Sequence, residues 1–85
     1  MYRIKKDKVE ELKEGKKTVY LSNLTGYTRQ YLTYIFRGTL FVTKPTAEKL
    51  ILSVAKESIK INEMVKNANS IDDVIKYFFD EDKEN

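Results

Sequence analysis

The chain contains no cysteine and no histidine among its 85 residues. Their absence removes disulfides, the usual zinc sites, a thiol nucleophile and the commonest general base. No apolar run approaches the roughly 20 residues that a membrane-crossing helix needs. The opening MYRIKKDKVEE lacks the apolar core of a signal peptide. The acids near the C-terminus lack the spacing and the glycine of an EF-hand loop and read as solvating charge. No other grouping of acids and lysines suggests a catalytic centre. The expectation is a soluble, cytoplasmic chain that is not an enzyme, with no metal, no cofactor and no evident small-molecule ligand.

What is present is enough for one modest core without metal or disulfide support, and for no second domain. Formal net charge is only +3, but residues 1–49 hold eleven Lys or Arg against five acids, whereas residues 50–85 hold five Lys against eight acids. A basic half of this kind attracts phosphate without regard to sequence, although lysine-rich surfaces are also ordinary.

In the basic half, residues 21–38 read LSNLTGYTRQYLTYIFRG. A 3.6-residue period gives a short helix over 18–24, a turn pivoting on Gly26 and a second helix over 28–37, which together make a helix-turn-helix. Glycine suits the turn because a sharp reversal between packed helices puts one residue at positive φ. Thr28 is a candidate N-cap. Spacing residues of the second helix at 100° puts Arg29, Gln30, Thr33, Tyr34 and Arg37 on one face, Leu32 and Ile35 on the other, and Tyr31 and Phe36 at the borders. A face of long hydrogen-bonding side chains is either a solvated surface or a means of reading a major groove. Arginine can donate a bidentate pair to guanine O6 and N7, and glutamine pairs with adenine N6 and N7.

Through Leu21, Ser22, Thr25-Gly26, the polar pair Arg29-Gln30, inward Leu32 and Ile35, and Gly38, the chain resembles the phage repressor and Cro type of helix-turn-helix domain, also called lambda repressor-like. The resemblance runs from Val9 to about Val65. It implies an all-α bundle of five to six short helices and a dimeric, sequence-specific DNA-binding repressor of a phage or mobile element. It also implies base reading by Arg29, Gln30 and Tyr34, with Thr33 close by. The phosphate-binding candidates are Lys16, Lys17 and Thr18 around the start of the preceding helix, Thr28 at the next N-cap, and Arg37 and Lys44 beyond. The chain departs from the family's frequent residues in having Thr18 where Gln is common, and Phe36 and Arg37 where Glu or Asn is common before the closing glycine. A threonine hydroxyl can still bond a phosphate.

The other expected elements follow in order. Tyr2 and Ile4 alternate with Arg3 and Lys5 in a basic arm that is either extended or the start of the first helix; such an arm could reach a minor groove or backbone, a disordered terminus being the plainer reading. Asp7 with Glu10 resembles a capping box for a helix over 8–14 that ends at Gly15, with Val9 and Leu12 inward. Leu21 is the main core residue of the next helix, with Val19, Tyr20 and Leu24 less definite. A helix beginning at Pro45 carries Ala47, Leu50, Ile51, Val54 and Ala55 on its inner face. A shorter helix holds Ile59, Ile61, Met64 and Val65. Ser70 with Asp73 suggests a second capping box, followed by an apolar stripe of Ile71, Val74, Ile75 and Phe78. The tail from 80 to 85 is expected to fray.

Residues 1–69 are thus expected to form the helix-turn-helix domain. Residues 70–85 are either part of it or a dimerisation element, because Tyr77 and Phe79 look like surplus apolar area. The expected partners are an operator in double-stranded DNA and a second copy of the chain through the C-terminal helix, with no membrane. The competing function is a protein-interaction module, such as an inhibitor or antitoxin-like protein, since fold does not fix function and Tyr20, Tyr27, Tyr31 and Tyr34 are residues of a type common at interfaces.

Overall fold

The computed structural model describes residues 1–82. The chain opens as strand β1 (Tyr2–Ile4) and passes through a 3-10 turn at Lys6–Lys8 into α1 (Val9–Lys13). It continues through α2 (Thr18–Thr25), α3 (Arg29–Arg37), α4 (Lys44–Ala55), α5 (Ile59–Asn67) and α6 (Ile71–Phe78) to strand β2 (Phe79–Glu81). Among the described residues the fold is therefore mostly helical, with six helices and little strand. No helix there is long and apolar enough to cross a membrane.

Helix α4 is the element around which the others pack, touching α1, α2, α5 and α6. Its apolar residues recur at helical spacing, and Ala47, Leu50, Ile51, Val54 and Ala55 are all buried as expected. The helix starts one residue before Pro45, with Thr43 as the residue before the first turn, where the missing proline N–H costs nothing.

The α2–α3 pair turns at Gly26, whose φ of 84° is costly for a side chain and free for glycine. Three side-chain bonds fix the turn. Thr25 Oγ1 donates to the Leu21 carbonyl at 2.8 Å and accepts from the Tyr27 N–H at 3.1 Å, while Ser22 Oγ donates to the Tyr27 carbonyl. Thr28 then caps α3, its hydroxyl accepting from the Tyr31 N–H at 3.1 Å. Leu32 and Ile35 are fully buried, and Gly38, with φ of 76°, ends the helix.

The basic arm is neither disordered nor helical. Strand β1 pairs antiparallel with β2, placing Tyr2 opposite Glu81, Arg3 opposite Asp80 and Ile4 opposite Phe79. On its other edge Tyr2 exchanges both backbone hydrogen bonds with Val42, at 2.7 and 2.8 Å. Ile4 and Phe79 are both buried. The chain leaves the helical region at Phe79 (φ −128°, ψ 147°), and this switch lets the consecutive residues Phe78 and Phe79 both point inward. The purely all-α expectation and the frayed tail are corrected here for Asp80 and Glu81. The expectation for residues 83–85 lies outside the described residues.

Phe79 is likewise not surplus surface. At 1% exposure it is core, and burying such a side chain is worth about 1.5–3 kcal/mol, which the chain gains within a single copy. Neither capping box forms. Asp7 falls inside the 3-10 turn, where Lys8 N–H bonds the Lys5 carbonyl at 2.9 Å, and the Asp73 N–H is met by the Ser70 carbonyl at 3.2 Å. Backbone acceptors thus take donors that the side chains were expected to satisfy. Helix α1 ends one residue earlier than expected, at Glu14, which itself adopts φ of 53°. Val19 and Tyr20 are exposed, and Ile59 is 84% exposed.

Tyr77 keeps part of its ring on the surface, but its hydroxyl lies 2.9 Å from each carboxylate oxygen of Glu11. Lys60 Nζ sits 3.1 Å from the same carboxylate, and Lys8 Nζ lies 3.2 Å from the Tyr77 hydroxyl and 4.2 Å from its ring centroid. One carboxylate thereby ties α1 to α5 and α6. Burial pushes the Glu11 pKa up, but the hydrogen bonds from Lys60 and Tyr77 and the nearby lysine charges outweigh it and hold it below its usual value. A carboxyl with a depressed pKa stabilises the fold above the usual carboxylate range and loses that contribution as pH falls through its folded pKa. Glu11→Gln should cost about 1 kcal/mol at neutral pH, the low end for bonds to a charged group because the cluster is partly solvated. Urea denaturation at several pH values checks this: the gap to the parent should close below about pH 4, and a gap independent of pH would contradict it.

Candidate nucleic-acid interface

The turn and the caps place one end of α3 beside the start of α2. Thr18 and Val19 of α2, with Thr28, Arg29, Gln30 and Thr33, line one open cleft of about 630 Å³. Three of the four base-reading candidates and two of the phosphate candidates thus share one surface. Tyr34 stands next to it, 41% exposed. Lys17 precedes α2 without capping it by a side chain, so the first-turn N–H groups of α2 face outward beside an exposed ammonium. Free N–H groups of this kind suit an anion.

The hydrogen-bonding capacity of each face residue follows from its partners. Arg29 is exposed and has no ion-pair partner among the described residues, so its full fork of donors is available. Gln30 Nε2 donates to the Tyr34 hydroxyl at 3.1 Å, which leaves Gln30 one N–H and its carbonyl oxygen and leaves Tyr34 its O–H. One donor and one acceptor side by side are what adenine N7 and N6 require. Thr33 is different. Its hydroxyl donates to the Arg29 carbonyl at 2.8 Å, so it can offer only a lone pair or its methyl group.

The remaining phosphate candidates are dispersed. Lys16 Nζ lies 3.3 Å from Glu14 and over the Tyr20 ring at 5.9 Å, at the approach to α2. Lys44 lies away from the cleft and holds Asp72 at 2.7 Å across to α6; the hydrogen bond it donates to that carboxylate raises its pKa, so it stays charged. Binding a phosphate with Lys44 means giving up that pair. Arg37, at the far end of α3, enters a separate cleft of about 340 Å³ with Arg3, Lys5, Lys6 and Thr39. Sequence spacing could not assemble that second group, because the strand pairing that holds Arg3, Lys5 and Lys6 there joins the two ends of the chain. The alternation of Tyr2 and Ile4 with Arg3 and Lys5 was its one local signal.

Of the tyrosines, Tyr27 and Tyr31 are half-buried and pack edge to face, with centroids 5.1 Å apart and Lys49 over Tyr27 at 4.8 Å. They support α3 from behind. Tyr20, 39% exposed, donates to Glu57 at 3.2 Å and links α2 to the segment after α4. Burial, and then the Glu57 charge, raise its pKa, so it remains a neutral phenol. Comparison with protein-family models, with curated proteins and with solved structures finds no match for this chain.

Arg29→Ala and Gln30→Ala remove exposed side chains and should leave the melting temperature nearly unchanged. Each should cost about 1–3 kcal/mol of specific duplex binding and relax preference at one base pair. Thr33→Val should cost less than either, since the hydroxyl proton it loses is already committed to α3. Equilibrium titrations of a selected duplex and its single-base variants measure all three, and an Arg29→Ala protein that binds as tightly and selectively as the parent contradicts the assignment.

Proposed function

We propose that the chain is a sequence-specific, double-stranded-DNA-binding transcriptional regulator of helix-turn-helix, lambda repressor-like type, acting as a repressor in the cytoplasm with α3 in the major groove. The observation that carries this reading is the cleft that joins Arg29 and Gln30 to the uncapped start of α2. Two side chains with base-matching donor and acceptor patterns stand there beside a group suited to a backbone phosphate. In this reading Lys17, Thr18 and Thr28 position the protein on one strand, Arg29 and Gln30 read base edges, Tyr34 adds a donor and Thr33 a methyl contact.

A two-fold pair on an inverted repeat belongs to the same proposal. One short helix touches only a few base pairs, and a pair spaced by one duplex turn, about 34 Å, doubles the footprint. Any such interface has to be built without Phe79, which the core of one copy already covers.

The runner-up is a protein-interaction module, favoured by the exposure of Val19, Tyr20 and Tyr34 around the cleft, at 47%, 39% and 41%. Salt separates the two. If each subunit neutralises about three phosphates, a bound pair should show a log-log slope of affinity on salt of roughly −5. Fluorescence-anisotropy titrations on a duplex selected from random sequence test this. Weak binding with no preferred sequence contradicts the DNA reading and favours the protein partner.

A further inference from the structure

The cleft at the C-terminal end of α3 contains more charge than the protein itself neutralises. Arg3, Lys5, Lys6 and Arg37 line it with Gly38 and Thr39, against the single carboxylate of Asp80, while Arg3 also borders Asp80, Glu81 and Asp82 in the adjoining cleft. Among the described residues, the side chains of Lys5, Lys6 and Arg37 have no ion-pair partner, and Arg3 packs over the Phe41 ring at 5.1 Å. Elsewhere in the basic half, Lys8, Lys16 and Lys44 each have a carboxylate within 4 Å, and Lys13, Lys17, Arg29 and Lys49 have none among the described residues but are not gathered in one cleft. Gathering like charges on one wall costs self-repulsion that an anion relieves.

The backbone here is fixed. Residues 2–4 pair with β2 along one edge, Tyr2 alone pairs with Val42 on the other, and the Lys5 N–H bonds the Phe78 carbonyl at 2.8 Å. Arg3 is thus mounted on strand β1, Lys5 and Lys6 on the hydrogen-bonded turn that follows it and Arg37 on α3, so holding these cations in place on binding costs little further backbone entropy. Arg29 and Arg37 are eight residues apart on α3, roughly 12 Å at 1.5 Å per residue, and the major groove is about 12 Å wide. A helix end that lies that far from the base-reading end lies near a wall of the groove, where the backbone runs.

We propose that Arg3, Lys5, Lys6 and Arg37 form a second backbone site, which takes phosphodiester groups of duplex DNA on the side of the groove opposite those held at the start of α2. This rests on the DNA-binding reading above, and it adds that strand β1 is part of the interface. The site carries affinity without base preference, because its ligands are phosphate oxygens alone.

The test uses the full chain, a selected duplex and the double variant Lys5→Gln/Lys6→Gln, with Lys66→Gln/Lys76→Gln as a control for net charge on the acidic half. Melting curves confirm that both are folded. The Lys5/Lys6 variant should make the log-log salt slope less negative by about 1–2 per subunit while leaving the ratio of selected to altered duplex affinity within about twofold. Phosphate-ethylation interference should vanish at one side of the half-site in that variant and persist at the other. An unchanged slope and ethylation pattern, with the parent binding normally, overturns the second site alone. An equal loss of slope in the control overturns it too, because net charge then explains the effect. A parent with no salt-dependent duplex binding overturns the DNA-binding reading and this site together.

Discussion

The direction of α3 depends on the turn at Gly26. A side chain at φ of 84° would strain the backbone even though a Cβ there meets nothing within 4 Å, so the requirement is conformational rather than spatial. Thr25 completes the constraint. It is 4% exposed, and its hydroxyl donates backward to Leu21 and accepts forward from Tyr27, so one buried polar atom has both of its bonds made only when α2 ends and α3 begins at this angle. Leaving such a group unsatisfied costs about 1–3 kcal/mol, a sizeable part of the stability of a small domain. With the angle set, Leu32 and Ile35 enter the core and Arg29 and Gln30 must face outward.

The second constraint is closure of the chain ends. Strand β1 lies between β2 and Val42, and Ile4 and Phe79 seal the core beneath it. This sheet stands at the C-terminal end of α3, while the ties from Lys8 and Lys60 to Glu11 and from Lys44 to Asp72 lie in the packing of α1, α5 and α6 around α4. Charge is sorted accordingly. Lys8, Lys44 and Lys60 tie helices together, whereas Lys17, Arg29, Lys5, Lys6 and Arg37 near the two ends of α3, like Lys13, Lys49, Lys56, Lys66 and Lys76 elsewhere, have no carboxylate partner among the described residues. In the proposed reading the cations near the ends of α3, more than the net charge of +3, would meet a polyanion.

What could be read from the sequence was local. The turn glycine, the Thr28 cap and the inner face of α4 each depend on residues within a turn or two of one another, and each appears where periodicity puts it. The strands could not be read, because three-residue segments have little periodicity of their own and their pairing joins residues at opposite ends of the chain. The burial of Phe79 followed them out of view, since a continued helix would have turned it away from the core. The capping boxes at Asp7 and Ser70 had the right spacing, but Asp7 was drawn into the 3-10 turn before α1 and the Ser70 carbonyl, not its hydroxyl, took the Asp73 N–H. For the candidate site, helical geometry grouped Arg29, Gln30, Thr33 and Tyr34 on one face. The hydrogen bond that occupies the Thr33 hydroxyl is local to α3 but is not specified by periodicity, whereas the ion pair that occupies Lys44 and the gathering of Arg3, Lys5 and Lys6 beside Arg37 are products of packing.

Whether α3 meets base edges in the major groove, as proposed, is decided by methylation interference on a selected duplex. Dimethyl sulfate marks guanine N7 in the major groove and adenine N3 in the minor groove. Blocked binding on methylation of guanine N7 at one position in each half-site, with that sensitivity absent in Arg29→Ala, is the predicted result. Interference confined to adenine N3, or no interference at any base, would contradict it.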